Sequence, residues 1–297
     1  MVESIKEKLR KVRCYHSANE IEIVVQQAKD NQISYFEFIE NLLNNEIRNR
    51  QKNRLKRYLK MSRFPQIKTI EGFDFHFQTS VTKRIANEWF VFDWIEQRQN
   101  KIFMGPPGVG KTHLALSIGY SAIMNHYKVV FYTMQDLMEE MIIAEDEKVF
   151  DTFLKKLLKN DLIIIDELGY LPLKLIYSNL FFQLINQCYE YRSVIITSNK
   201  FYKEWGNLFG NQTMAGAILD RLLHHAESVI LNGDSYRLRD VKGNMFKEKQ
   251  HPEMSYSSPA TPSFHSTSLN SSPINLPETL TPKTKLNPQN MLTTKTS

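Results

Sequence analysis

Residues 105–112 read Gly-Pro-Pro-Gly-Val-Gly-Lys-Thr and fill every fixed position of the pattern G-x-x-x-x-G-K-[ST]. That stretch constrains the fold more than any other, because the pattern acts as the turn between a strand and a helix. A short apolar run, Lys101–Met104, precedes it, and a helical pattern, Thr112–Asn125, follows. Gly105, Gly108 and Gly110 let the backbone turn sharply and approach phosphate oxygens with no Cβ in the way. Pro106, Pro107 and Val109 complete a loop whose amides point inward, aided by the positive end of the following helix. Lys111 is expected to reach the β- and γ-phosphates of ATP, and the Thr112 hydroxyl to ligate Mg²⁺. The competing reading is a glycine-rich turn that merely leads into a helix.

The surrounding pattern predicts an α/β domain over residues 66–242. Strand-like runs at Lys101–Met104, Lys128–Thr133, Leu162–Asp166, Val194–Ser198 and Ser228–Leu231 alternate with helical stretches at Thr112–Asn125, Met134–Lys159, Tyr177–Glu190 and Met214–Ala226. Leu162–Ile165 and Val194–Ile196 are apolar without alternation, as strands of a parallel sheet covered on both faces are. The βαβα order implies five parallel strands with right-handed crossovers.

Two of those strands end in polar residues. Ligands of open parallel sheets bind beyond the carboxyl ends of the strands. Asp166 is therefore placed to hold Mg²⁺, and Glu167 to orient or deprotonate the water attacking the γ-phosphate. Asn199, after Val194–Ser198, is placed to hydrogen-bond that water or the γ-phosphate; the alternative is an ordinary turn residue.

Residues 1–65 form a different region, with no Gly or Pro before Pro65. Tyr35, Phe36, Phe38, Ile39, Leu42 and Leu43 recur at helical spacing and predict a buried stripe. Ser34 and Glu37 form a capping-box pattern ahead of it. Further along stand Arg48, Arg50, Lys52, Arg54, Lys56, Arg57, Lys60 and Arg63, against the single acid Glu46. Such a helix can neutralise the phosphates of double-stranded DNA with little sequence preference; it reads equally well as a solvated face or a subunit contact. The net charge of +6 permits such a partner without selecting it. Residues 243–297 turn rich in Ser, Thr and Pro with isolated apolar residues, the composition of a disordered tail.

Targeting signals are not legible. No window approaches the roughly 18 apolar residues of a membrane helix, and the N-terminus has no apolar core of a signal peptide. Cys14 and Cys188 lie far apart and read as two reduced thiols, so a cytoplasmic protein without a membrane partner is expected.

Taken together, Gly105–Thr112, Asp166-Glu-Leu-Gly-Tyr170, Thr197-Ser-Asn199, Leu219-Asp-Arg-Leu-Leu-His-His225 and Gly233-Asp-Ser-Tyr-Arg237 resemble the IstB-like ATP-binding proteins, helper ATPases of bacterial insertion sequences. These are similar to DnaC-type helicase loaders, and both are AAA+ ATPases. The resemblance covers roughly residues 30–240 and implies an AAA+ P-loop fold, ATP hydrolysis, self-association into an oligomer, and a cognate transposase as partner on DNA. A helicase loader, or a nucleotide-gated DNA-binding scaffold with little turnover, are the rival readings. By the same resemblance Asp166 and Glu167 match the Walker B pair, Asn199 the sensor 1 position, and Arg221 the arginine that reaches a neighbour's ATP. Arg237 is a second sensor candidate. Arg221 reads otherwise as a surface arginine paired with an acid. The Ser/Thr/Pro-rich tail departs from the family pattern.

Overall fold

The structure is a computed structural model that describes residues 2–170 and 175–239. The predicted tail, 243–297, lies outside the described residues.

Three helices open the chain: α1 (Val2–Lys11), α2 (Tyr15–Asp30) and α3 (Tyr35–Met61). Ser34 caps α3 as its position predicts, its hydroxyl accepting the Glu37 amide at 3.2 Å. The apolar stripe behind that cap is not buried. Tyr35 is 90% and Phe36 88% exposed, and Ile39 and Leu43 are about half exposed. The helices instead meet around Glu46, which is buried although charged. Its carboxylate accepts the Ser17 amide at 2.9 Å and the Ser17 hydroxyl at 3.0 Å, and pairs with Arg50 at 2.9 Å. Arg50 also donates to the Arg13 carbonyl at 2.6 Å, so one acid ties α2, α3 and the α1–α2 turn together.

Short helices α4 (Lys83–Glu88) and α5 (Asp93–Glu96) lead into β1 (Asn100–Met104), α6 (Lys111–Met124), β2 (Val129–Thr133), α7 (Met134–Asp146), α8 (Phe150–Leu157), β3 (Leu162–Leu168), α9 (Leu175–Cys188), β4 (Ser193–Ser198), α10 (Trp205–Leu208), α11 (Gln212–Leu223) and β5 (Ala226–Ile230). The five strands are all parallel, in the order β2-β3-β4-β1-β5. This is the five-stranded parallel α/β sheet that the alternation of strands and helices predicts.

Successive strand residues face opposite sides of a sheet, so each central strand feeds two cores. Ile163 and Ile165 of β3 pack with α7, α8, α9 and α11 on one face. Leu162 and Ile164 pack with α6 and the α4–α5 region on the other. Both cores are closed, which is why β3 and β4 read as unbroken apolar runs. The outer strand β5 is different. It spans Ala226–Ile230 rather than 228–231, and its side chains are exposed or half-buried. At the opposite edge the Phe131 amide of β2 donates to the Ser62 carbonyl at 2.8 Å, so the end of α3 covers that strand.

The helix expected over Met134–Lys159 is two helices. Lys148 adopts φ +59, the left-handed conformation that ends α7, and the Val149 amide returns to the Ala144 carbonyl at 2.8 Å. Both cysteines are free; Cys188 is buried, and burial pushes its thiol up to about 12. Among the described residues no helix is long and apolar enough to cross a membrane.

Candidate functional site

β1 delivers the chain to Gly105 with its backbone fixed on both sides. Gly105 N donates to the Ser198 carbonyl of β4 at 3.1 Å. Gly105 and Gly108 have φ +146 and +84, and both lie against neighbouring chain. A Cβ on Gly105 would stand 2.0 Å from the Leu231 carbonyl oxygen, and one on Gly108 2.0 Å from Ser235 Oγ. No other residue fits either place. Gly110 precedes α6 without a side-chain cap, which leaves the first amides of that helix to an anion. Pro106 and Pro107 form the exposed crest of the loop, and Val109 is its buried anchor.

Lys111 is buried at the start of α6. Its ammonium donates to the Gly105 carbonyl at 2.7 Å and the Pro106 carbonyl at 2.8 Å. Burial lowers its pKa to about 8, against the pull of Asp166 and with a smaller push from Arg237.

The next residue reaches across to β3. Thr112 Oγ1 lies 2.9 and 3.0 Å from the two carboxylate oxygens of Asp166. The Thr197 hydroxyl of β4 also donates to Asp166, and it accepts the Glu167 amide at 3.0 Å. Burial raises the Asp166 pKa; hydrogen bonds from Thr197 and Thr112 and the charge of Lys111 work against that rise. Glu167 takes φ +67, in the left-handed region, and its side chain turns out of the sheet into the cleft. Asn199 follows β4, and its side-chain oxygen is buried with no hydrogen-bond partner among the described residues. An unpaired buried acceptor costs about 1–3 kcal/mol.

Gly108, Val109, Gly110, Lys111, Thr112, Glu167 and Thr197 line one cleft of about 420 Å³. Asp166 lines an adjoining pocket with Thr112 and Glu167, and Asn199 lines neither. A hydroxyl beside a carboxylate is an all-oxygen donor pair, the chemistry Mg²⁺ selects, so Thr112 and Asp166 fit the metal expected there. Arg237 lines the same cleft together with Glu167 and Lys111. Arg221 does not line it. It lies on the seam between α9 and α11, donating to Asn186 Oδ1 at 2.9 Å and the Ala217 carbonyl at 3.0 Å, with its guanidinium 4.8 Å from the Phe182 ring centre.

The roof of the cleft was not legible in the sequence. Residues 66–78 and 231–239 fold over the loop from opposite sides. Phe73 packs edge-on against His113 at 5.4 Å, and Phe77 against Tyr236 at 5.2 Å. The Gln78 side chain donates to the Val109 carbonyl at 3.0 Å, and the Tyr236 amide to the Gly108 carbonyl at 3.0 Å. Arg239 closes the two segments onto each other by pairing with Asp74 at 2.9 Å. The sequence signal was the aromatic run Phe73-Asp-Phe-His-Phe77, which has no motif of its own.

The eight bases between Arg48 and Arg63 fall into two groups. Arg50 is paired with Glu46, and Arg63 with Glu140 while covering the Tyr132 ring. Arg48, Lys52, Arg54, Lys56, Arg57 and Lys60 are exposed and have no ion pair among the described residues. Of these, Arg48, Lys52, Lys56 and Lys60 recur every fourth residue and form one row along α3.

Comparisons with known proteins fit this geometry. The family described as IstB-like ATP binding protein matches residues 7–243. The putative ATP-binding protein of insertion sequence IS232 from Bacillus thuringiensis is 42% identical over 217 residues, 73% of this chain and 87% of that protein. That of IS5376 from Geobacillus stearothermophilus is 39% identical over 249 residues, 84% of this chain and 99% of that protein. A solved DnaC helicase loader superposes with a TM-score of 0.45 at 23% identity, covering 59% of this chain and 99% of that one. With a phosphate loop, an acid-ended β3 and a family match across four-fifths of its length, the chain belongs to the IstB-like ATP-binding proteins.

Proposed function

We propose that this chain hydrolyses ATP in the cleft beneath Gly105–Thr112 and uses the nucleotide state to control its assembly on double-stranded DNA beside a transposase. The observation that carries the reading is the hydrogen-bonded series Thr112–Asp166–Thr197–Glu167 at the carboxyl ends of β3 and β4. It puts a hydroxyl–carboxylate pair and a second acidic residue side by side next to the glycine-rich loop, which supports the reading.

In this reading the loop amides, Lys111 and Arg237 bind the phosphates. Lys111 exchanges two carbonyl partners for phosphate oxygens, so its ammonium needs little movement. Thr112 and Asp166 hold Mg²⁺, which when bound offsets charge on the phosphates. Glu167 takes a proton from the attacking water or orients it, and Asn199 positions the same water with its unpaired oxygen. Arg221 lies outside its own chain's cleft, which supports a role at the cleft of a neighbouring copy in an oligomer. Residues 66–242 are then the ATPase engine and residues 1–65 a DNA-contacting part, with the exposed row Arg48–Lys60 of α3 on the phosphate backbone. The work is done in the cytoplasm, where DNA and ATP meet.

Phosphate release with and without duplex DNA tests the enzyme. Lys111→Ala should abolish ATP binding, and Glu167→Gln should bind ATP and hydrolyse it slowly. No phosphate release in either condition removes the enzymatic reading. For DNA, replacing Arg48, Lys52, Lys56 and Lys60 by Ala should flatten the dependence of log K on log salt by about 0.9 for each DNA phosphate that is no longer neutralised. An unchanged slope takes α3 out of the interface.

A further inference from the structure

The ends of α9 and α11 converge at a point far from the nucleotide cleft. Glu190 follows α9, and His224 and His225 end α11. All three side chains are exposed, and one donor atom from each lies within 4.8 Å of the others. The His225 carbonyl accepts the Asn100 amide at 2.7 Å at the start of β1. The phosphate loop leaves the other end of that strand, about 16 Å away at 3.3 Å per residue.

We propose that Glu190, His224 and His225 form a binding site for a borderline divalent transition metal of the Zn²⁺ class, with a fourth position open to water. The donor set carries the argument. Two imidazoles and a carboxylate are the ligands such an ion takes, whereas Mg²⁺ and Ca²⁺ prefer oxygen alone. The site is therefore chemically distinct from the all-oxygen pair Thr112–Asp166. Metal–ligand bonds of about 2.0–2.1 Å in a tetrahedron bring donor atoms about 3.4 Å apart. Exposed side chains reach that spacing by small χ rotations.

The backbone beneath the two histidines is already fixed. Asn100 donates from its amide to His225 O, from its side chain to Leu222 O at 3.0 Å, and accepts the Val194 amide at 2.9 Å. One residue thus pins the turn to both β1 and β4. The Tyr189 hydroxyl lies 3.0 Å from His224 Nδ1, which leaves Nε2 as that ring's free nitrogen. A polar group on the second nitrogen is the usual means of orienting a metal-bound imidazole. The two rings lie 4.1 Å apart between centres.

A metal held here clips the end of α9 to the end of α11. Asn186 and Arg221 meet on the same seam, each four residues before a proposed ligand, Glu190 and His225. The clip is therefore one helical turn beyond Arg221, whatever Arg221 does.

The test uses the full-length, nucleotide-free protein. Titration with Zn²⁺ by calorimetry should show one equivalent bound, and Co²⁺ should give the visible absorption of a tetrahedral N/O site. Mg²⁺ in excess should not displace either ion. His224→Ala/His225→Ala should lose the site, and Glu190→Gln should weaken it about ten-fold or more. A second measurement needs no variant: bound Zn²⁺ should protect His224 and His225 from modification by diethylpyrocarbonate, read by mass spectrometry. Equal Zn²⁺ uptake by wild type and the double-histidine variant, or unprotected histidines under saturating Zn²⁺, overturns the proposal.

Discussion

Lys111 keeps its ammonium on the carbonyls of Gly105 and Pro106, in surroundings that disfavour charge, and its pKa falls to about 8. Phosphate oxygens in place of those carbonyls favour the ammonium and raise that value. The sign of the pH dependence follows. Below about pH 8 the group is already charged and ATP affinity should be flat. Above it, binding must first protonate Lys111, and affinity should fall by up to about ten-fold per pH unit. Calorimetry near pH 8 in two buffers of different ionisation enthalpy should register proton uptake on binding. Thr197 is the other residue whose position exceeds its sequence signal, since its hydroxyl serves Asp166 and the Glu167 amide together. Thr197→Val should leave ATP affinity nearly unchanged and lower turnover by about a hundred-fold, because both acids lose their alignment. Steady-state kinetics would separate the two effects. The loop and the acids were legible in the sequence because each must be one residue type at one spacing. Thr197 was not, because a threonine near the end of a strand has many ordinary uses.

Among the elements, β3 and β4 were legible because closure on both faces demands unbroken apolar runs. The break between α7 and α8 was not, because it falls at Lys148 rather than at Gly or Pro. The apolar stripe of α3 misleads for a different reason. Periodicity shows that a helix has an apolar face and is silent on whether anything within the chain covers it. What holds the N-terminal helices is Glu46, which sequence pattern gives no reason to bury. Burial pushes its carboxyl up, yet the Ser17 amide, Arg50 and the Ser17 hydroxyl together hold it below the usual carboxylate range. Glu46→Ala should destabilise the α2–α3 packing by about 1–3 kcal/mol, since the Ser17 amide is left unpaired. A group with a lowered folded pKa stabilises above its unfolded value of 4.5 and loses that contribution as pH falls through the folded one. Acid unfolding monitored by circular dichroism should therefore begin below about pH 4.5 in the wild type, and the variant's profile should be shallower there.

At the scale of the molecule, the nucleotide chamber is built from distant parts of the chain. The floor is the sheet, whose order places β4 between the acid-bearing β3 and the loop-bearing β1. The roof is made by residues 66–78 and 231–239, fastened by Arg239 and Asp74 and by the Tyr236 amide on Gly108. A chain ending at residue 239 should keep ATP affinity within about three-fold of the full length, roughly 0.7 kcal/mol. One ending at residue 232 should bind ATP far more weakly, being without Ser235, Tyr236, Arg237 and Arg239. Fluorescent-nucleotide titration of the two shortened chains checks both expectations. The fastening has a mechanical corollary. Arg239 is the pin of the lintel over this chamber, so a pull applied at that residue loads the Asp74 pair and the lid before it reaches β5.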